Sequence, residues 1–131
     1  MQPLANRFIL GSLLLVGVEF AIAQTSAPAA AGSALKGKEI YDTRCSACHS
    51  VDDNRVGPMH LGVFGRKAGG VKSYGYSDAL NKSKVVWSRD TLTAWLTNPE
   101  TLIPGQRMGY RMEYAQERED VVAYLASLKR P

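Results

Sequence analysis

Cys45-Ser46-Ala47-Cys48-His49 is the stretch on which the reading of this chain turns. Two cysteines three positions apart, with a histidine directly after the second, form the attachment signature of a covalently bound c-type haem. The spacing has a mechanical reason. One helical turn separates Cys45 from Cys48, so both sulfurs reach the two vinyl groups on one porphyrin edge as thioethers. His49 then brings its imidazole under the iron as the proximal ligand. A Cys-x-x-Cys pair also serves as a thiol–disulfide redox centre or as half of a zinc site. Zinc lacks ligands here, because the whole chain holds only two cysteines and two histidines, His49 and His60. A disulfide centre calls for a βαβ setting, and no strand pattern flanks the motif. Haem attachment leads.

Length and composition agree. At 131 residues the chain is one domain plus whatever precedes it. With 45% apolar and 21% charged residues it is an ordinary globular composition, which excludes disorder as the main state. A domain of this size builds a modest core, which a buried porphyrin would enlarge. The net charge of +4 is dispersed along the chain, so it reads as a solvated surface and not as a nucleic-acid site.

Residues 1–23 read as a cleaved signal peptide. Arg7 supplies the positive start, Phe8 to Val18 the apolar run, and Ala21-Ile22-Ala23 a small-x-small cleavage site. The uncharged run is far short of the roughly 20 residues that a membrane span needs, and Glu19 follows it closely. Export without stable membrane insertion is expected. Removing residues 1–23 takes one Arg and one Glu, so the charge stays +4. Haem is attached outside the cytoplasm in bacteria, so compartment and motif agree on a periplasmic protein.

Residues 24–33 form a small-residue leader with no expected packing role, and residues 34–131 the folded domain. Ser33 is a plausible N-cap for a first helix from Ala34 to about Cys45, with Gly37, Ile40, Tyr41 and Arg44 or Cys45 facing inward. Gly37 costs a mid-helix position about 1 kcal/mol relative to Ala, which suggests a second helix crossing closely. Ser77-Asp78-Ala79-Leu80-Asn81 suggests a short helix. Ser88 caps a clearer one, with Leu92, Trp95 and Leu96 on one stripe and Asn98-Pro99 at its end. The last helix places Glu117, Glu119 and Asp120 in its first turn and Lys129-Arg130 in its last, with Val121, Tyr124, Leu125 and Leu128 at helical spacing.

Gly57-Pro58, followed by Leu61-Gly62-Val63-Phe64-Gly65-Arg66-Lys67, resembles the segment after the haem motif in class I cytochromes c of the mitochondrial and bacterial type. The likeness runs from Gly37 to Leu128. It implies an all-α fold, three main helices plus short helices and loops wrapped around one haem c. It also implies that the Pro58 carbonyl accepts a hydrogen bond from His49, fixing one tautomer and strengthening the ligand. Tyr76 and Trp87 match the family's donors to a buried haem propionate, and Arg66 its nearby arginine. A buried carboxylate without such partners costs several kcal/mol.

Thr97 to Met108, with Ile103-Pro104-Gly105 inside it, is similar to the family's distal loop, in which the methionine after Ile-Pro-Gly-x-x is the sixth iron ligand. Met108 is that methionine, and His/Met ligation raises the potential. Met112, one helical turn further, is the rival. Met59 lies too near the proximal histidine, and His60 belongs to the same proximal side. Several positions depart from the family pattern. The loops before Pro58 and after Met108 are shorter. Trp95 stands in place of a haem-pocket tyrosine whose hydroxyl usually bonds the methionine sulfur. Leu80 replaces an asparagine and Gln106 a threonine. The basic face is thinned to Arg55, Lys67, Lys72, Lys82, Lys84, Arg107 and Arg111.

With both axial positions filled by protein the iron has no open site, so the expected function is single-electron transfer by a monomeric periplasmic carrier and not catalysis. Partners with acidic docking surfaces are expected, such as a cytochrome bc1-type complex, a terminal oxidase or a periplasmic dehydrogenase. Two alternatives share the motifs. One is a dedicated haem acceptor or subunit of a single dehydrogenase. The other is a peroxidase-like or ligand-binding haem protein, which needs the Met108 position to open.

Overall fold

Ser33 starts the first helix as its side chain predicts. In the computed structural model, which describes residues 30–130, its hydroxyl accepts the Lys36 N–H at 3.4 Å, and α1 runs over Ala34–Arg44. The expected signal peptide and the leader up to residue 29 lie outside the described residues, as does Pro131. Four further helices follow: α2 (Asp78–Lys82), α3 (Arg89–Thr97), α4 (Pro99–Leu102) and α5 (Ala115–Ser127). The only ladder pairing among the described residues is an isolated bridge between Lys67 and Val86. The fold is all-α.

Serines punctuate the chain. Ser77 accepts the Leu80 N–H at the start of α2. At the start of α3, Ser88 and Thr91 form a reciprocal capping box that satisfies two otherwise unpaired N–H donors. The Leu92, Trp95 and Leu96 stripe is buried as its spacing predicts. Pro99 then occupies the first position of α4, where its missing N–H costs nothing, and so turns the expected loop into one extra helical turn.

The terminal helices cross at the point that Gly37 marks. A Cβ on Gly37 would lie 1.9 Å from the Asp120 carbonyl oxygen, so only a residue without a side chain lets α1 sit on α5. One turn on, Tyr41 packs edge-on against Tyr124, with ring centroids 5.2 Å apart. Arg44 does not face inward. It is exposed and pairs with Glu117 through both terminal nitrogens, at 2.6 and 2.9 Å, tying the end of α1 to the start of α5.

Two expectations for α5 fail for physical reasons. Of the three expected acids only Glu117 lies in its first turn; Glu119 and Asp120 follow in the second, and Asp120, 5% exposed, does not serve the dipole of its own helix. Its Oδ1 instead accepts the Ser33 N–H at 2.7 Å and the Gln116 side-chain amide at 3.2 Å. Lys129 and Arg130 lie beyond the helix, which ends at Ser127. The chain there turns toward Gly62, whose N–H donates to the Leu128 carbonyl at 2.6 Å. Residues 30–33 also run along α5. Ala30 donates to Gln116 at 2.8 Å, and Gly32 passes so close to the Glu119 carbonyl that a Cβ would stand 2.0 Å from it.

Tyr41, Val63, Ala68, Leu80, Trp87, Leu92, Trp95, Leu96, Ile103, Met112, Val121, Val122 and Leu125 form one buried cluster. Fully burying a side chain of Leu or Val size contributes about 1.5–3 kcal/mol. Cys45, Tyr76 and Met108 of the expected site are only partly covered and flank this cluster, while Trp87 and Trp95 lie within it.

Candidate functional site

The cysteine motif continues the end of α1 as a helical turn. Cys45 and Ser46 both donate to the Tyr41 carbonyl, at 2.9 and 3.0 Å, and Cys48 and His49 donate to the Cys45 carbonyl, at 3.1 and 2.9 Å. Cys48 is exposed and Cys45 half-buried. Burial pushes the Cys45 thiol up to about 11, against the pull of Arg44. A thiol held in its protonated form is a poor nucleophile. Among the described residues no group of three or more His, Cys, Asp or Glu side chains is placed to hold a metal ion.

His49 faces the chain that returns beneath it. Its Nδ1 lies 2.8 Å from the Pro58 carbonyl oxygen. A carbonyl can only accept, so Nδ1 carries the proton and Nε2 keeps a free lone pair. Burial holds the imidazole below its ordinary pKa, and the Pro58 hydrogen bond opposes this shift. The result is a neutral, oriented nitrogen donor. Gly57 permits the approach: a Cβ there would stand 2.2 Å from the ring's Cε1. The Gly57 N–H donates to the Cys48 carbonyl at 2.8 Å, and the Arg55 side chain donates to the Ser46 carbonyl, closing the loop on the motif.

His60 lies flat against His49. Their ring centroids are 4.2 Å apart and the planes differ by 19°. Sequence reasoning kept His60 on the proximal side but had no signal for the stack. Burial first, then His49 and Arg66, push the His60 imidazole down to about 3, so it too is neutral.

The methionines separate by burial. Met112 is 2% exposed, its backbone N–H bonded to the Leu96 carbonyl at 2.8 Å. Met108 is half-buried at the margin of the core, on the loop that follows Gly105, whose φ of 85° makes the tight turn. That loop carries a brace absent from the sequence reading. Glu100 accepts the Gly105 N–H at 2.9 Å through one carboxylate oxygen and the Gln106 side-chain amide at 3.2 Å through the other. Gln106 in turn accepts the Met108 N–H.

Arg66 spends its terminal nitrogens on the chain, donating to the Leu61 carbonyl at 3.0 Å and the Met59 carbonyl at 2.8 Å. Its buried Nε has no protein partner. An orphaned cationic donor of this kind needs an acceptor. The half-buried Tyr76 has its phenol raised by burial, with the Val71 amide and Arg66 opposing, so it remains a hydroxyl donor. Trp87 and Trp95 are both buried and meet edge-to-face at 5.3 Å. Leu80, in place of a polar residue, is buried within the same core.

These donors fit a covalently held haem. They comprise two thiols one turn apart, an imidazole with a free Nε2, a partly exposed methionine on a braced loop and an unpaired guanidinium nitrogen.

Comparison with known proteins gives a concordant result. The family model described as Cytochrome c matches residues 34–129. The chain is 40% identical to cytochrome c of Gibberella zeae over 100 residues, 73% of this chain and 94% of that protein. It is 40% identical to cytochrome c2 of Rhodopila globiformis over 101 residues, covering 75% of this chain and 95% of that protein. Among solved structures, cytochrome cH from Methylobacterium extorquens superposes with a TM-score of 0.69 at 38% identity, covering 73% of this chain and 99% of that one.

Proposed function

The chain belongs to the cytochrome c family, and from that premise we propose that it is a periplasmic carrier whose haem is held by Cys45 and Cys48 and ligated by His49 and Met108. The family carries covalently attached haem c and works in electron transfer, so the protein is an electron carrier and not an enzyme. When bound, haem c supplies a one-electron change between ferric and ferrous iron.

The observation that carries the ligand assignment is the 2.8 Å contact between His49 Nδ1 and the Pro58 carbonyl, which leaves the Nε2 lone pair free to ligate. Met108 supplies the opposite donor from a loop held by Glu100 and Gln106, and Met112 serves as core. Arg66 offsets the charge of a propionate through its unpaired Nε, with Tyr76 and Trp87 as further donors and Trp95 as apolar lining. Export is supported by the residues 1–23 pattern. Among the described residues no helix is long and apolar enough to cross a membrane.

The exposed cations include Arg55, Lys67, Lys72, Lys82, Lys84, Arg107 and Arg111. They are the candidates for steering the protein to acidic patches on redox partners through small, transient contacts. A membrane respiratory complex or a periplasmic dehydrogenase fits that description.

The test is spectroscopic. The purified reduced protein shows the sharp α-band of thioether-linked haem, and the oxidised protein shows the near-infrared band of methionine bound to ferric iron. Met108→Ala removes that band and opens the reduced protein to carbon monoxide; Met112→Ala keeps it. Retention of the band in Met108→Ala overturns the assignment.

A further inference from the structure

His49 is held by more than its hydrogen bond to Pro58. A bond through Nδ1 fixes one edge of the imidazole and leaves the ring free to rock about that edge. The flat face of His60, 4.2 Å away and tilted by only 19°, limits that rocking. His60 is in turn fixed. Its Nδ1 lies 3.0 Å from the Tyr41 hydroxyl, and its backbone N–H donates to the Ser50 carbonyl at 3.0 Å. Tyr41 is 3% exposed and meets His60 edge-on at 5.5 Å on one side and Tyr124 of α5 on the other. A continuous line of ring contacts therefore runs from the α1–α5 crossing to the face of His49.

Resting on the reading of His49 as the iron ligand, we propose that Tyr41 and His60 are positioning residues that set the plane of the His49 ring relative to the haem. An aliphatic side chain at position 60 would fill space but offer neither a flat face nor a partner for the Tyr41 hydroxyl. The orientation of an axial imidazole decides how its π orbitals overlap the iron orbitals. The buttress therefore acts on the electronic structure of the iron and not only on stability.

The experiment uses the ferric holoprotein. Proton NMR shifts of the haem methyl groups and the electron paramagnetic resonance g-values both report the ligand plane. Tyr41→Phe keeps the packing and removes the hydroxyl; His60→Phe keeps a flat face without the hydrogen bond; His60→Leu removes both. The expected result is a changed spread and order of the methyl shifts, graded from the two phenylalanine variants to His60→Leu, with displaced g-values and a shifted reduction potential. Methyl shifts and g-values identical to the parent in Tyr41→Phe and His60→Phe overturn the proposal, even if the melting temperature falls. Should His60→Leu fail to fold, the two phenylalanine variants decide. If His49 were not the ligand, either the parent protein would lack a histidine–methionine spectrum or His60→Phe would lose it, so the two failures are distinguishable.

Discussion

Gly37 and Asp120 touch backbone to backbone where α1 crosses α5: a Cβ on Gly37 would come within 1.9 Å of the Asp120 carbonyl oxygen and 2.9 Å of the Tyr124 Cβ. The contact sets the distance between the helices. Gly37→Ala gains about 1 kcal/mol of helix propensity, yet it must push backbone aside. Overpacking of this kind typically costs about 1–3 kcal/mol, and here the obstacle is a carbonyl, not the end of a flexible side chain. A lower melting temperature for the holoprotein is expected. An unchanged or raised one would show that the helices can part without loss.

Asp120 serves the same crossing from its side chain. Its Oδ1 is the acceptor for the Ser33 N–H, a donor at the start of α1 that the helix itself cannot satisfy. Asp120→Ala leaves that donor without its partner and costs about 1–3 kcal/mol, whereas Asp120→Asn keeps an oxygen in place and costs less. Denaturant midpoints of the two variants check the order. Equal midpoints would reassign Asp120 to a passive role.

How far the chain was legible depended on whether the deciding contact is local. Caps are local, so Ser33, Ser77 and Ser88 could be read directly, as could the Leu92, Trp95 and Leu96 stripe. The Cys-x-x-Cys-His motif needs only five consecutive residues. Asp120 misled because a carboxylate near a helix start has a default local role, while its actual partner lies 87 positions away. Arg44 was ambiguous for the same reason, its position being decided by Glu117. The His49–His60 stack joins residues eleven apart across a loop of no regular period, so no spacing rule could find it. The Glu100–Gln106 brace depends on a turn whose shape is set by Gly105.

That brace makes a prediction about the methionine loop. Glu100 and Gln106 link Pro99–Leu102 to the Met108 backbone through three hydrogen bonds. Each such bond contributes about 1 kcal/mol net. Gln106→Ala removes the two that involve its side chain, and opening of the loop should become at least roughly fivefold more frequent if about 1 kcal/mol is lost. Binding of carbon monoxide or imidazole to the holoprotein reads the open fraction. An unchanged rate would mean that the loop is held by Ile103 and the core alone. Glu100→Gln is the gentler control, because it preserves an acceptor for one of its two donors.

The exposed cations lead to a kinetic prediction. Lys67, Lys72, Arg107 and Arg111 enter none of the ion pairs found among the described residues, while Lys38, Arg44 and Arg89 pair with Asp42, Glu117 and Glu119. Pairing mutes a charge at long range, so the unpaired set dominates the field that an approaching partner meets. Screening acts over about 10 Å at 0.1 M salt. Electron-transfer rates with an acidic redox protein should therefore fall as ionic strength rises from low to moderate. Lys72→Glu should lower the association rate and flatten that dependence, while leaving the visible spectrum unchanged. Stopped-flow rates over a salt series make the measurement. Rates independent of salt in the parent protein would assign recognition to apolar contact, for which the exposed Val56, Phe64 and Tyr110 would be the next residues to replace.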